Sequence, residues 1–148
     1  MSDYLEAVGT FLTNDMGKAE GQDVTSRSLL TFSEGALAVL IDANQAGVTG
    51  FGPYSAATGS WRGVSNSDGI IRVSAVVLHF TFATSQFPEK KIGRVDIDAT
   101  IDTNQDTLSG TFRLFLFPID GDPLGPIPEE PALSGPITGQ KVVAAPSG

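Results

Sequence analysis

One of three side chains, Tyr54, His79 or Arg113, is the candidate to polarise a carbonyl group of a substrate, and His79 is also a candidate general acid or base. A neutral imidazole suits proton transfer near pH 7, because the ordinary pKa of histidine lies close to that pH. His79 is the only histidine of the chain, and no partner that would orient it as a base is identifiable. His79 therefore has two interpretations: a catalytic acid or base, or a packed histidine whose ring N–H is hydrogen-bonded to a neighbour.

Two aspartates offer a second kind of acid–base chemistry. Asp96 and Asp98 are two positions apart, so a β-strand would project both carboxylates from one face. Such a pair divides into acid and base when burial raises the pKa of one member. Arg94 belongs to the same face, and mixed charges are typical of an exposed strand that resists edge pairing. The pattern favours a solvated charge ladder over a catalytic pair.

Metal and cofactor chemistry find little support in the residue types. The chain has no cysteine and one histidine, which leaves few ligands for a transition metal. Residues 102–106 imitate the start of a calcium loop, but Thr107 replaces the required glycine and Arg113 stands where the bidentate glutamate belongs. The sequence predicts neither a metal site nor a cofactor.

The composition of the chain limits the classes of partner that it could bind. Seventeen acidic against nine basic residues give a net charge of −8, which would repel the phosphates of a nucleic acid. No apolar run approaches the roughly 18 residues that a membrane span requires. Residues 1–11 lack the positive and apolar regions of a signal peptide, which predicts a cytoplasmic protein.

The elements that must position these residues have β periodicity. Between residues 25 and 117 apolar side chains recur at every second position, in runs separated by glycine, asparagine and aspartate turns. Residues 30–32 and 37–41 form one such hairpin, and the turn at 66–69 separates Trp61 from His79 in another. Roughly seven or eight locally connected strands must hide their edges, so we predict an all-β, closed antiparallel up-and-down barrel.

A chain of 148 residues has the size of one domain, and we assign residues 1–148 to a single barrel. Residues 1–24 are predicted to be an N-terminal extension, and residues 144–148 a frayed tail. Seven of the nine prolines fall from Pro118 onward, which predicts a proline-rich rim loop over residues 118–133. Residues 134–143 recover weak alternation and would supply the last strand.

The strand that carries His79 is apolar on both faces. Val73, Val77 and His79 share one face, whereas Val76, Leu78 and Phe80 share the other. A strand that is dry on both sides lies under another element or in a subunit interface. This pattern predicts a homodimer.

Four motifs resemble a known family: TFSEG at 31–35, TGSW at 58–61, GRVDIDATIDTNQDTLSGTF at 93–112 and SGPITGQKV at 134–142. Their order resembles a group of small bacterial calycin-like barrels, similar in fold to the allene oxide cyclase barrel. The resemblance implies a barrel over residues 26–143. It also implies either a catalyst that closes rings without a cofactor or a barrel without a reaction. Thr58 stands where many relatives have a histidine, so no role of that histidine transfers.

The aromatic content indicates an apolar lumen, because nine phenylalanines, two tyrosines and one tryptophan exceed what strand packing requires. Trp61 has two interpretations, a core ring and a ring that also touches a ligand. The predicted ligand-binding residues are Phe51, Trp61, Phe80, Phe82, Phe112, Phe115 and Phe117.

Three functions follow from such a barrel. The first is a cofactor-independent cyclase or isomerase that holds a hydrophobic, polyene-like or polyketide-like small molecule in a reactive conformation. The second is a non-catalytic binding or carrier barrel for the same kind of molecule. The third is an interaction domain with a solidly packed interior. A lumen of at least about 300 Å³ would separate the first two from the third.

Overall fold

The apolar alternation of the sequence forms eight strands in the computed structural model, which describes residues 2–48 and 50–144. Every strand pairs antiparallel with its neighbours in the sequence, and β8 returns to pair with β1. The predicted all-β, closed up-and-down barrel is therefore confirmed. The strands are β1 (Gly9–Ala19), β2 (Gln22–Phe32), β3 (Leu37–Asp42), β4 (Ala57–Ser67), β5 (Ile70–Phe80), β6 (Lys91–Asp102), β7 (Thr107–Pro118) and β8 (Leu133–Lys141).

Closure of the sheet gives each strand an inner and an outer face. On β5 the buried residues Val73, Val77 and His79 point inwards, and Phe80, whose side chain is 55% exposed, points outwards. On β6 the inner residues are Val95 and Ile97. The period of two predicted which residues of each strand share a face, and closure of the barrel decided which face is inside.

One end of the barrel is closed by aromatic rings that pack against each other at tilted angles. Phe32 lies between Phe11 and Trp61, with ring centroids 6.1 and 5.2 Å away. Trp61 is 3% exposed, and its indole N–H donates to the Ser33 carbonyl oxygen at 2.8 Å. These rings make a solid base beneath the lumen, which we call the closed end.

Glycines beside Trp61 make room for groups other than the indole ring. A methyl group at Gly63 would overlap the Tyr4 ring, and one at Gly59 would overlap the Val76 carbonyl oxygen on β5. Gly63 thus lets the N-terminal segment pack against the closed end, and Gly59 lets β4 and β5 approach closely.

The N-terminal residues belong to the barrel, which corrects the predicted extension over 1–24. Residues 9–19 form β1, which pairs with both β2 and β8 and closes the sheet. A short 3-10 helix, Ser2–Ala7, precedes it. Within residues 2–48 and 50–144, no helix combines the length and apolarity needed to cross a bilayer. Of the predicted C-terminal tail, residues 145–148 lie outside the described residues.

The connection between β7 and β8, residues 119–132, is anchored to the outside of the barrel. Arg94 makes two hydrogen bonds to the Asp96 carboxylate, at 2.7 and 3.2 Å, and donates a third to the Pro123 carbonyl oxygen at 3.0 Å. Arg113 approaches the same carboxylate at 3.5 Å. Asp96 is 8% exposed, so the predicted solvated ladder is wrong at this position: Asp96 is a buried ion-pair partner.

Candidate functional site

The barrel holds a cavity of about 410 Å³ at the end opposite the aromatic base. The connections 43–56 and 81–90 border its mouth. These two connections touch each other, since Phe87 packs against Gly52 and the Phe82 N–H donates to the Pro53 carbonyl oxygen at 2.9 Å. The lumen is thus closed at one end and capped by loops at the other.

The two sides of the cavity differ in chemistry. Strands β1 to β3 contribute polar groups: Asp15, Ser26 and Asp42. Strands β6 to β8 contribute an apolar wall, and in a ring of eight strands β6 and β7 lie across from β2 and β3. The apolar wall consists of Val95, Ile97, Phe112, Leu114, Leu116 and Ile137.

Asp15 is held by hydroxyl groups of neighbouring strand positions. Thr13 Oγ1 donates to its Oδ1 at 2.8 Å, and Ser28 Oγ donates to its Oδ2. Burial raises the pKa of the Asp15 carboxyl, the two hydrogen bonds partly offset the rise, and the negative charge of Asp42 adds to it. Asp15 is therefore more readily protonated than an exposed aspartate.

Asp42 ends β3 beside Asp15. Its Oδ1 accepts from Ser26 Oγ and from the Asn44 N–H, the latter at 2.7 Å. A carboxylate has acceptor capacity on both oxygens, so Asp42 can accept a further bond from a bound molecule and keep these two. Ser26 and Ser28 of β2 thus hold one carboxylate each, and both carboxylates lie on the same side of the lumen.

Tyr54 and His79 meet at the same cavity, with ring centroids 4.9 Å apart. The imidazole also lies directly over Gly93 of β6, where a methyl group would overlap it. Burial lowers the pKa of His79 to about 4, and the Asp42 carboxylate opposes this only in part. Burial raises the pKa of the Tyr54 hydroxyl, and Asp42 adds to the rise. At pH 7 the cavity therefore contains a neutral imidazole and a protonated phenol.

The structure brings five of the predicted site residues together. Tyr54, His79, Phe51, Phe82 and Phe112 all line the cavity. Phe112 belongs to the apolar wall, whereas Phe51 and Phe82 come from the connections at the mouth.

Five other predicted site residues lie away from the cavity. Four of them lie on outer faces, because the residues that alternate with them along the same strand point inwards: Phe80, Arg113, Phe115 and Phe117. Phe115 is nonetheless only 1% exposed, since it is packed outside the barrel beneath Arg113, whose guanidinium carbon lies 5.4 Å from its ring centre. Trp61 is inside, but at the closed end. None of the five lines the cavity.

Sequence reasoning missed Asp15 and Asp42, the two aspartates that line the cavity. The position of each aspartate in the alternation of its strand could have revealed it. Asp15 alternates in step with buried Phe11 and Thr13, and Asp42 follows Leu40, which lines the same cavity. A carboxylate in phase with core positions indicates an inward-facing charge.

Chemically, the site can enclose an apolar molecule and bind one polar end of it. The polar side offers carboxylate acceptors and a phenol donor, and the opposite wall offers aliphatic and aromatic contact. No family model, no curated protein and no solved structure matches this chain. The resemblance to calycin-like barrels stays a prediction from the motifs, as does the homodimer.

Proposed function

We propose that this protein binds a hydrophobic small molecule inside the barrel. The observation that carries the proposal is the cavity of about 410 Å³ at the loop-capped end. Pockets for small ligands span roughly 300 to 1,000 Å³ and combine apolar walls with a few polar groups. Both features occur here, and a solidly packed interaction domain accounts for neither.

Filling the cavity should abolish this binding. Val95 lies on the apolar wall, and a Val95→Phe side chain would occupy volume that the ligand needs. We expect Nile red, an uncharged hydrophobic dye, to bind the wild-type protein and to lose at least about tenfold in affinity for the variant, roughly 1.4 kcal/mol. Fluorescence titration measures both affinities.

The matched control is Val76→Phe, which adds the same volume on the outer face of β5, opposite Asp96 of β6 in the sheet. Dye affinity should stay at the wild-type value in this variant. Equal binding by wild-type, Val95→Phe and Val76→Phe proteins would place the dye outside the barrel and contradict the proposal. Melting curves of both variants check that each is folded.

A second candidate function is a cofactor-independent cyclase or isomerase that acts on the bound molecule. It is favoured by the meeting of Tyr54 and His79 near Asp42, in the same cavity as the apolar wall. The Tyr54 hydroxyl could donate to a carbonyl group, and the wall would hold the reacting carbons in a near-attack conformation. Shape would be the main catalytic resource.

This candidate function predicts opposite effects for substitution of an aromatic wall residue and for substitution of the histidine. With a linear polyene substrate, we expect Phe112→Ala to lower the ring-closure rate about a hundredfold, because an ångström of misplacement has effects of that order. His79→Gln should keep most of the activity, and Phe80→Ala on the outer face serves as the control. A thousandfold loss in a His79→Gln protein that binds normally, about 4 kcal/mol, would instead show acid–base catalysis.

A further inference from the structure

The distribution of charge around the cavity says what kind of polar group the ligand carries. Five titratable groups other than Tyr54 line it: Asp15, Asp42, His79, Glu89 and Lys91. Glu89 and Lys91, two positions apart in the chain, belong to the mouth and carry opposite charges. His79 is uncharged at pH 7 because burial lowers its pKa to about 4. The charge that remains within the barrel is that of two carboxyl groups.

When both are ionised, the carboxylates of Asp15 and Asp42 repel each other, which is one cause of the raised pKa of Asp15, and a cation between them relieves that repulsion. A bound ammonium group would hydrogen-bond to carboxylate oxygens, which are the strongest acceptors in the cavity. A carboxylate or phosphate group would meet like charge there, whereas Lys91, the cationic side chain of the lining, belongs to β6 on the other side of the ring. The side of the lumen formed by β1 to β3 therefore selects against anionic ligands.

We propose that the ligand is a hydrophobic amine, with its ammonium group at Asp15 and Asp42 and its apolar body against the wall of β6 to β8. This inference rests on the proposed binding function and specifies the ligand's chemical class. The amphipathic cavity carries it: the carboxylates are set into the lumen by Thr13, Ser26 and Ser28, and the opposite wall holds Phe112 and Leu114.

The test compares three probes that share one alkyl chain and differ in the head group: decylamine, decanol and decanoate. Each competes with Nile red at pH 7, below its micelle concentration and at roughly 0.3 M salt, which screens attraction to the protein's acidic surface. We expect decylamine to bind at least about tenfold more tightly than decanol, and decanoate to bind more weakly than decanol.

Asp42→Asn tests the assigned residue, because asparagine keeps an Oδ1 acceptor for Ser26 and Asn44 and removes the charge. The amine preference over decanol should fall to about threefold or less. Asp98→Asn removes a carboxylate from an exposed outer position of β6 and should leave the preference unchanged. Asp15→Asn is the second inner variant and removes the charge of the other carboxyl group.

The outcomes separate the two proposals. Equal binding of all three probes, or tightest binding of decanoate, overturns the amine inference and leaves the ligand-binding function standing. Failure of every probe and of Nile red to bind contradicts the binding function itself. An amine preference that survives both inner variants places the ammonium group elsewhere and overturns the assignment to Asp15 and Asp42.

Discussion

Replacing Trp61 with alanine is expected to lower the free energy of unfolding by about 3 to 5 kcal/mol. The indole is 3% exposed and packs on Phe32 at 5.2 Å, so its removal leaves a cavity at the closed end of the barrel. It also removes the hydrogen bond to the Ser33 carbonyl oxygen. Urea unfolding of the wild-type protein and of Trp61→Ala, followed by circular dichroism, measures the difference.

Phe80→Ala is the matched control, since Phe80 is an aromatic residue of the neighbouring strand that is 55% exposed. Its loss should be below about 1 kcal/mol. Because Trp61 lies outside the ligand cavity, the folded Trp61→Ala protein should still bind Nile red with wild-type affinity. Unfolding at the wild-type urea concentration would show that the indole is not packed in the closed end.

The second large effect is expected outside the barrel, where Arg94→Met should lower the free energy of unfolding by about 3 kcal/mol. Arg94 and Asp96 side chains are only 16% and 11% exposed. Removing the guanidinium leaves a buried carboxylate whose one other cationic contact in the described chain is Arg113 at 3.5 Å. The bond that anchors Pro123 is lost as well, so limited proteolysis should cut within residues 119–132 faster than in the wild-type protein.

Two variants sharpen this expectation. Arg94→Met combined with Asp96→Leu removes both charges and should recover most of the lost stability, because an apolar pair has no buried charge to compensate. Arg72→Met changes an exposed arginine of β5 and should alter stability by less than about 0.5 kcal/mol. If the single and double variants unfold alike, the ion pair does not govern stability at this face.

Turn residues and apolar alternation made most of the barrel predictable. The turn at residues 66–69 is one example: Asp68 and Gly69 have φ of 54° and 79°, which this dipeptide tolerates better than most. Val95 and Ile97 alternate with Arg94 and Asp96, so the two faces of β6 could be told apart before the fold was known. Residues that are close together in the sequence are enough to predict turns and strand faces.

The first strand escaped prediction because its inner face is partly polar. Thr13 and Asp15 occupy positions where a barrel strand usually carries apolar side chains, so the period of two is weak between residues 9 and 19. The polarity is stabilised by Ser28, which lies on the neighbouring strand. The contacts between β1 and β2 that stabilise these polar residues also build the polar side of the cavity.

The sequence by itself determined that the chain forms antiparallel strands, where most of them turn, and which residues share a face. These properties depend on neighbouring residues, through backbone conformation and the alternation of side chains. It did not determine which face of β7 is inside, since Phe112 and Phe115 put aromatics on both. The tertiary structure decided this by packing Phe115 outside the barrel, on the side where Arg94 anchors residues 119–132. It also left the lumen partly empty, because cavity volume depends on the size of the closed ring and on side chains from all its strands together.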